Sequence, residues 1–367
     1  MRTLIASQYQ RIKNFYIKYE RVLMPATLVG GFLLDYFTFI SIQITITFTL
    51  LLVYWVLAGA VIAFIHLYDA QKLSQKFRYI RLFAPLFIQF VFGALLSSSL
   101  IFYWFSGAFA VSWPLIVIIA VLMVSNDAFR HYFEKPLVHI SVYFFATISL
   151  FSLLLPFLFK SLSMWLFVAA VAAALGIFWV YIRYLATVAE HVRAQKHRLF
   201  LAIIVIAGAM NVLYFTNIIP PIPLALREAG LYHSLTVSGG RYTMGGEPGD
   251  FLKTLQAGIS GEVIHVAPGE KTYLYTAIFA PASLKTTIVH HWQYYDQAQK
   301  EWVSRGKLQF NINGGRKEGY KGYSYQSNLA AGRWRVYVQN QRGQVLGRVR
   351  FTVEHVDAPV ALQEIIR

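Results

Sequence analysis

Between residues 22 and 218 the sequence is divided into apolar runs of about 20 residues, and no other feature restricts the fold so tightly. In hydrocarbon every backbone N–H and C=O must be paired inside the protein, so a chain of this kind crosses a bilayer as a series of helices. Seven stretches have the required length: residues 22–42, 44–67, 83–105, 108–125, 137–159, 163–185 and 199–218. The first is not read as a cleavable leader. It follows a basic arm of some twenty residues, lacks a small-residue cleavage site and runs straight into the next apolar stretch.

Basic residues orient the spans, because Lys and Arg in short loops stay on the cytoplasmic side. Sixteen of them precede residue 227. Arg2, Arg11, Lys13, Lys18 and Arg21 lie in the N-terminal arm, Lys72, Lys76, Arg78 and Arg81 after the second span, and Arg130 and Lys135 after the fourth. Arg183, Arg193, Lys196 and Arg198 lie at or beyond the end of the sixth, and only Lys160 falls on the opposite side. The alternation predicts a cytoplasmic N-terminus and, after seven crossings, a C-terminal region outside. In a bacterium this is an inner-membrane protein with a periplasmic C-terminal domain. The net charge of +16 would suggest nucleic acid in a soluble protein. Here 57% hydrophobic residues and a mean hydropathy of +0.49 make the bilayer the partner that matters, and nucleic acid is not expected.

Polar groups inside the spans are few. Asp35, in the run Gly30-Gly31-Phe32-Leu33-Leu34-Asp35-Tyr36, is a candidate ion or proton site, or a residue near the outer interface that is solvated or caps a helix. Asn211 lies inside the seventh span, and His66 and His139 lie near cytoplasmic ends; packing or interfacial roles suit them better than ligation. Gly30-Gly31, the pair Gly59 and Ala63, and the small-residue run from Ala169 to Gly176 read as close helix contacts. The chain has no cysteine, so disulfides, thiolate metal sites and Cys nucleophiles are excluded. No metal-binding His pair, P-loop or nucleophile elbow occurs in the spans, and neither a cofactor nor a metal is expected.

A Pro-rich exit, Ile218-Ile219-Pro220-Pro221-Ile222-Pro223, ends the helical pattern. Residues 219–261 read as a Pro/Gly-rich connector with some strand content, including turns at Ser238-Gly239-Gly240 and Met244-Gly245-Gly246. From Glu262 the apolar period becomes two, the strand signature. Residues 262–266, 272–280, 286–295, 307–312, 333–339 and 344–354 are the predicted strands of a β-sandwich over 262–367. The fold class is therefore a multi-pass helical bundle of about seven spans followed by an all-β, sandwich-like domain.

In the last two strands Trp334, Val336 and Val338 alternate with arginines, as do Val349, Phe351 and Val353. The turn Asn340-Gln341-Arg342-Gly343, closed between its first and last residues, would set Arg335 opposite Arg348 and Arg333 opposite Arg350. Like charges facing each other on a sheet are destabilising. Arg333, Arg335, Arg348 and Arg350 therefore form a candidate site for an anionic partner (lipid, glycan or protein), unless acids on a neighbouring strand balance them. Alternation also sends His290 and Trp292 to one face and His291 to the other. That disfavours a two-His metal site and leaves His290 as a core or edge residue carried along as a possible ligand contact. The segment from Gly314 to Gly322, with Arg316, Lys317, Tyr320 and Lys321, reads as a solvated loop, with a binding loop as the alternative.

His290-His291-Trp292, the segment from Gly332 to Val338, the segment from Gly343 to Gly347 and Phe351-Thr352-Val353 resemble the bacterial domain family DUF2914. The spans with Gly30-Gly31-Phe32 and Asp35 resemble the DUF5924-type membrane region that accompanies it. The resemblance implies this architecture and a bacterial inner membrane, and carries no activity with it. The favoured reading is a non-enzymatic envelope protein whose β-domain binds a glycan, lipid or protein and senses or scaffolds. One alternative is a transporter or channel built around Asp35. The other is a membrane-embedded enzyme acting on lipid-linked substrates, for which Asp127, His131 and Glu134 are the nearest approach to a catalytic cluster.

Overall fold

In the computed structural model the described residues are 10–11, 14–15, 18–19, 26, 29–30, 33, 44–105, 109–128, 135–221, 224–248, 262–280, 284–314 and 319–367. They divide into a compact unit made of helices and one that contains all the strands. The helices are α1 (Ile44–Asp69), α2 (Arg78–Phe105), α3 (Phe109–Ala128), α4 (Pro136–Phe159), α5 (Met164–Val188), the short α6 (Glu190–Arg193) and α7 (Lys196–Phe215). Among the described residues five helical stretches are long and apolar enough to cross a membrane, within α1, α2 with the turn before it, α4, α5 and α7, while α3 carries a shorter apolar stretch, Ser112–Met123. Most of the first predicted span, with Asp35, lies outside the described residues, as do His131 and Glu134.

Inside the helical unit, several polar side chains close their bonds on nearby backbone, the arrangement that a water-poor bilayer favours. Ser98 and Ser99 donate to the carbonyls of Ala94 and Leu95 one turn back, and Asn211 does the same to Ala207 at 2.8 Å. Asn211 is thereby tied to its own helix. Between helices, the Tyr143 hydroxyl donates to the Trp55 carbonyl at 2.9 Å and Tyr181 donates to that of Gly59 at 2.7 Å. A Cβ at Gly59 would sit 2.6 Å from the Tyr143 hydroxyl, so this glycine is what allows α1 and α4 to approach.

The strand-bearing unit begins earlier than the period-two pattern suggests. Residues read as connector contain β1 (Ala225–Tyr232), β2 (Ser234–Ser238) and β3 (Arg241–Gly246). Then follow β4 (Glu262–Val266), β5 (Lys271–Phe279), β6 (Lys285–Asp296), β7 (Glu301–Asn313), β8 (Tyr320–Ser327), β9 (Gly332–Asn340), β10 (Val345–His355) and β11 (Gln363–Ile366). Met244-Gly245-Gly246 is strand rather than turn. Its glycines admit close neighbours, a Cβ at Gly245 meeting the Ser234 hydroxyl at 2.5 Å. Tyr320 and Lys321 likewise belong to β8, and residues 315–318 of the predicted loop lie outside the described residues.

Three sheets result, ordered β1-β5-β8, β4-β10-β9-β6-β7 and β11-β3-β2. The first two share one apolar core, to which Leu231, Leu274 and Ile278 contribute from the three-stranded sheet and Ile288, Trp292, Trp334, Val336, Val338 and Phe351 from the five-stranded one. Burying side chains of this size contributes roughly 1.5–3 kcal/mol each. A second cluster, with Tyr232, Met244, Tyr275 and Ala277 buried, packs the β2-β3-β11 sheet on the other face of β1-β5.

Candidate functional site

Strands β9, β10 and β6 carry alternating side chains, and the shared core fixes which alternate faces inward. Trp334, Val336, Val338, Phe351 and Val353 are buried, so Arg333, Arg335, Arg348 and Arg350 necessarily share the outer face. Their pairing differs from the expected one. Arg335 lies opposite Arg350, Arg348 opposite Tyr337 and Arg333 opposite Thr352. The Asn340 N–H donates to the Gln344 carbonyl, which lengthens the loop, and a bulge between Val345 and Gly347 adds a further step. The two effects shift the register by two residues, so the arginines keep their face and change their partners.

Aromatic rings lie against three of these arginines. The Arg333 guanidinium lies 3.9 Å from the centre of the Tyr295 ring, and that of Arg335 lies 4.0 Å from Trp302 and 5.0 Å from Tyr337. Arg348 lies 6.0 Å from Tyr337, while Tyr295 and Trp302 meet edge to face at 5.2 Å. The Arg335 Nε also donates to the Gln293 side-chain oxygen at 2.7 Å. A guanidinium stacked on a ring keeps its charge and presents its N–H edge in a fixed plane.

No acid answers these charges: among the described residues none of the four arginines forms an ion pair. Burial lowers the Arg335 guanidinium from its ordinary value; Tyr337 opposes that shift, and Arg348 and Arg350 add to it. His291, on the same face, is lowered by burial and then by Lys307 and Arg335.

His290 is not part of this face. It is fully buried with Trp292, as its alternation with Trp292 predicts. One ring nitrogen lies 2.8 Å from the Ser324 hydroxyl and the other 3.1 Å from that of Thr276, while the Trp292 N–H donates to Ser324 at 3.0 Å. Burial holds His290 neutral, pushing its pKa down to about 3. This chain of bonds joins the two large sheets through their core, and it leaves no ring nitrogen for a ligand.

A second polar cluster gives no signal in the sequence. His233, buried, faces Glu270 at 2.6 Å and Glu247 at 3.1 Å. Glu247 also accepts from the His265 backbone N–H at 2.7 Å and faces its ring at 2.8 Å, and the other His265 nitrogen lies 3.7 Å from Glu354. Burial would raise the Glu247 carboxyl, but the bonds from His265 and His233 outweigh it and hold it below its ordinary value. Its members come from the β1–β2 turn, the end of β3, β4, the β4–β5 turn and β10, so no local pattern could reveal it. In the helical unit, the rings of His139 and His191 lie 6.4 and 5.2 Å from that of His66. Among the described residues no group of His, Asp and Glu is arranged to hold a metal.

Residues 285–353 match the family described as protein of unknown function DUF2914. The match falls on β6 to β10, the strands that carry the arginines and His290. A comparison with curated proteins finds no match. An immunoglobulin-like protein from Pseudomonas aeruginosa aligns with 36% of this chain and 98% of its own length at 10% identity and a TM-score of 0.21. A β-glucosidase from Listeria innocua in complex with gluconolactone aligns with 35% of this chain and 16% of its own at 13% identity and a TM-score of 0.20. An alkylpurine DNA glycosylase from Pseudomonas fluorescens, bound to DNA containing an abasic site analogue, aligns over 82% and 96% at 11% identity and 0.22. At such TM-scores none of the three carries an argument about this chain.

Proposed function

We propose that this chain is a non-enzymatic protein of a bacterial inner membrane whose β unit lies on the periplasmic side and binds an anionic envelope component. The helical part, which resembles the DUF5924-type membrane region, is its anchor, and the Lys and Arg distribution favours a cytoplasmic N-terminus with seven crossings. The observation that carries the binding reading is the set of four arginines without an ion pair on one sheet face, two of them stacked on Tyr295 and Trp302. A folded protein stabilises like charges on a sheet poorly, and an oxyanion arriving from solution relieves that cost while gaining charge-assisted hydrogen bonds.

Location and binding are tested separately. Because the chain has no cysteine, Gln297→Cys in the exposed β6–β7 turn gives a single labelling site. A membrane-impermeant maleimide that passes the outer membrane is expected to label it in intact cells; labelling only after lysis places the β unit in the cytoplasm and overturns the topology. For binding, the full chain in nanodiscs of zwitterionic lipid is expected to retain polygalacturonate. The variant Arg333→Gln, Arg335→Gln, Arg348→Gln, Arg350→Gln is expected to lose it. Equal retention by both proteins ends this reading of the face.

A further inference from the structure

The spacing of the four arginines says more than their charge. Arg335 and Arg350 are direct cross-strand partners, Arg348 is the next outward residue on β10, and Arg333 the next on β9. Neighbouring strands lie about 4.8 Å apart and outward residues recur about every 6.6 Å along a strand. The guanidiniums are thus rooted on a grid whose steps are shorter than a Debye length of about 8 Å in physiological salt. A single carboxylate or phosphate meets at most one or two of these groups and leaves the others repelling one another. A chain molecule with oxyanions on successive units meets them all.

Resting on the anion-binding reading of this face, we infer that the outer face of β9 and β10 is a multidentate receptor for an acidic glycan, a polymer bearing a carboxylate or similar oxyanion on successive sugars. Two further observations favour a glycan over a lipid surface. The outward residues of β9 and β10 are Arg333, Arg335, Tyr337 and Gln339 with Arg348, Arg350, Thr352 and Glu354, a set without an aliphatic side chain. Binding to a bilayer surface draws on inserted apolar groups as well as on charge; these two strands present no aliphatic side chain outward, and their one ring, Tyr337, lies beside Arg335 and Arg348. It is also a strand surface, on which an extended polymer can lie along the arginine rows, with Tyr337 and Gln293 between the cations for sugar rings and hydroxyls.

The arginines divide the work. Arg333 and Arg335, stacked at 3.9 and 4.0 Å on Tyr295 and Trp302, are pre-organised and set the register of the ligand. Arg348, 6.0 Å from its ring, and Arg350, exposed on the neighbouring strand, adjust to it. Loss of either ring should therefore weaken binding although it removes no charge.

The test titrates the full chain in zwitterionic nanodiscs with galacturonic acid and its dimer, tetramer and longer oligomers, and repeats the series with Trp302→Leu. Affinity should rise steeply with length, by about a hundredfold or more from monomer to the longer oligomers, the scale on which linked contacts outdo single ones. Trp302→Leu should lose several-fold of it at unchanged net charge. If monomer and long oligomer bind equally, the multidentate inference falls while anion binding stands. Preference for vesicles of phosphatidylglycerol over the oligomers overturns the glycan assignment. Absence of binding to every anionic probe removes the anion-binding reading itself.

Discussion

The two faces of the five-stranded sheet are built from the same strands, one residue out of step, and they treat polar groups in opposite ways. On the inner face His290, Trp292, Ser324 and Thr276 bond to one another across the core. On the outer face Arg333, Arg335, Arg348 and Arg350 stand together, and among the described residues none of them forms an ion pair. A buried polar group must be satisfied for the fold to persist. A charge near water has no such obligation, and its persistence at a small cost to stability points outward, to a ligand. The His233–Glu247–His265 cluster lies between these cases, satisfied internally, with His233 buried and Glu247 and His265 partly exposed.

If this contrast is correct, inner-face substitutions disturb the fold and outer-face ones disturb binding. The largest effect on stability is expected at Trp292. Trp292→Ala leaves a cavity in the shared core and removes one of the two partners of the Ser324 hydroxyl, costing about 3–5 kcal/mol in thermal unfolding of the detergent-solubilised chain. His290→Leu is next at about 1–3 kcal/mol, because Ser324 loses a core partner, and it should also alter the pH profile. Folded His290 refuses, down to about pH 3, a proton that the unfolded chain accepts near 6.5. Stability is thus complete above pH 6.5 and declines as the pH falls from 6.5 toward 3, by at most about 1.4 kcal/mol per unit. His290→Leu should flatten that decline.

Glu247→Gln should cost less, about 1 kcal/mol, since its partners are partly solvated. Its carboxylate is held below the ordinary value of 4.5, so its contribution is present above pH 4.5 and lost as the pH falls through the lowered value. Hydrogen exchange in β2 and β3 should rise in acid in the wild type and already at neutral pH in Glu247→Gln. The smallest change in stability belongs to Arg335→Gln, within about 0.5 kcal/mol and toward greater stability. A loss comparable to that of the His290 variant would erase the distinction between the faces.

Much of this contrast is legible in the sequence, because alternation needs only a parity. Trp334 to Val338 and Val349 to Val353 assign both faces correctly, and a register shift of two left that parity intact. What parity cannot supply is partners. The length of the Asn340–Gln344 loop and the Leu346 bulge decide which arginines meet, and neither shows in an apolar pattern. Trp302 was missed because the β6–β7 pairing shifts at Trp292/Gln293, which breaks the period of β7 and hides its first half. β1 to β3 read in the sequence only as a connector with some strand content, because glycines and polar residues dilute their alternation and their packing on Tyr232 and Tyr275 comes from distant chain. In the helical unit, apolar length located the helices that are described, while Asp35 lies outside the described residues.

The most direct test measures stability and polyanion binding on one variant. The full chain with all four arginines changed to Gln should unfold at the wild-type temperature or above it and should no longer bind polygalacturonate. A lowered unfolding temperature with binding retained would contradict the account, placing the arginines in the structure and the ligand elsewhere.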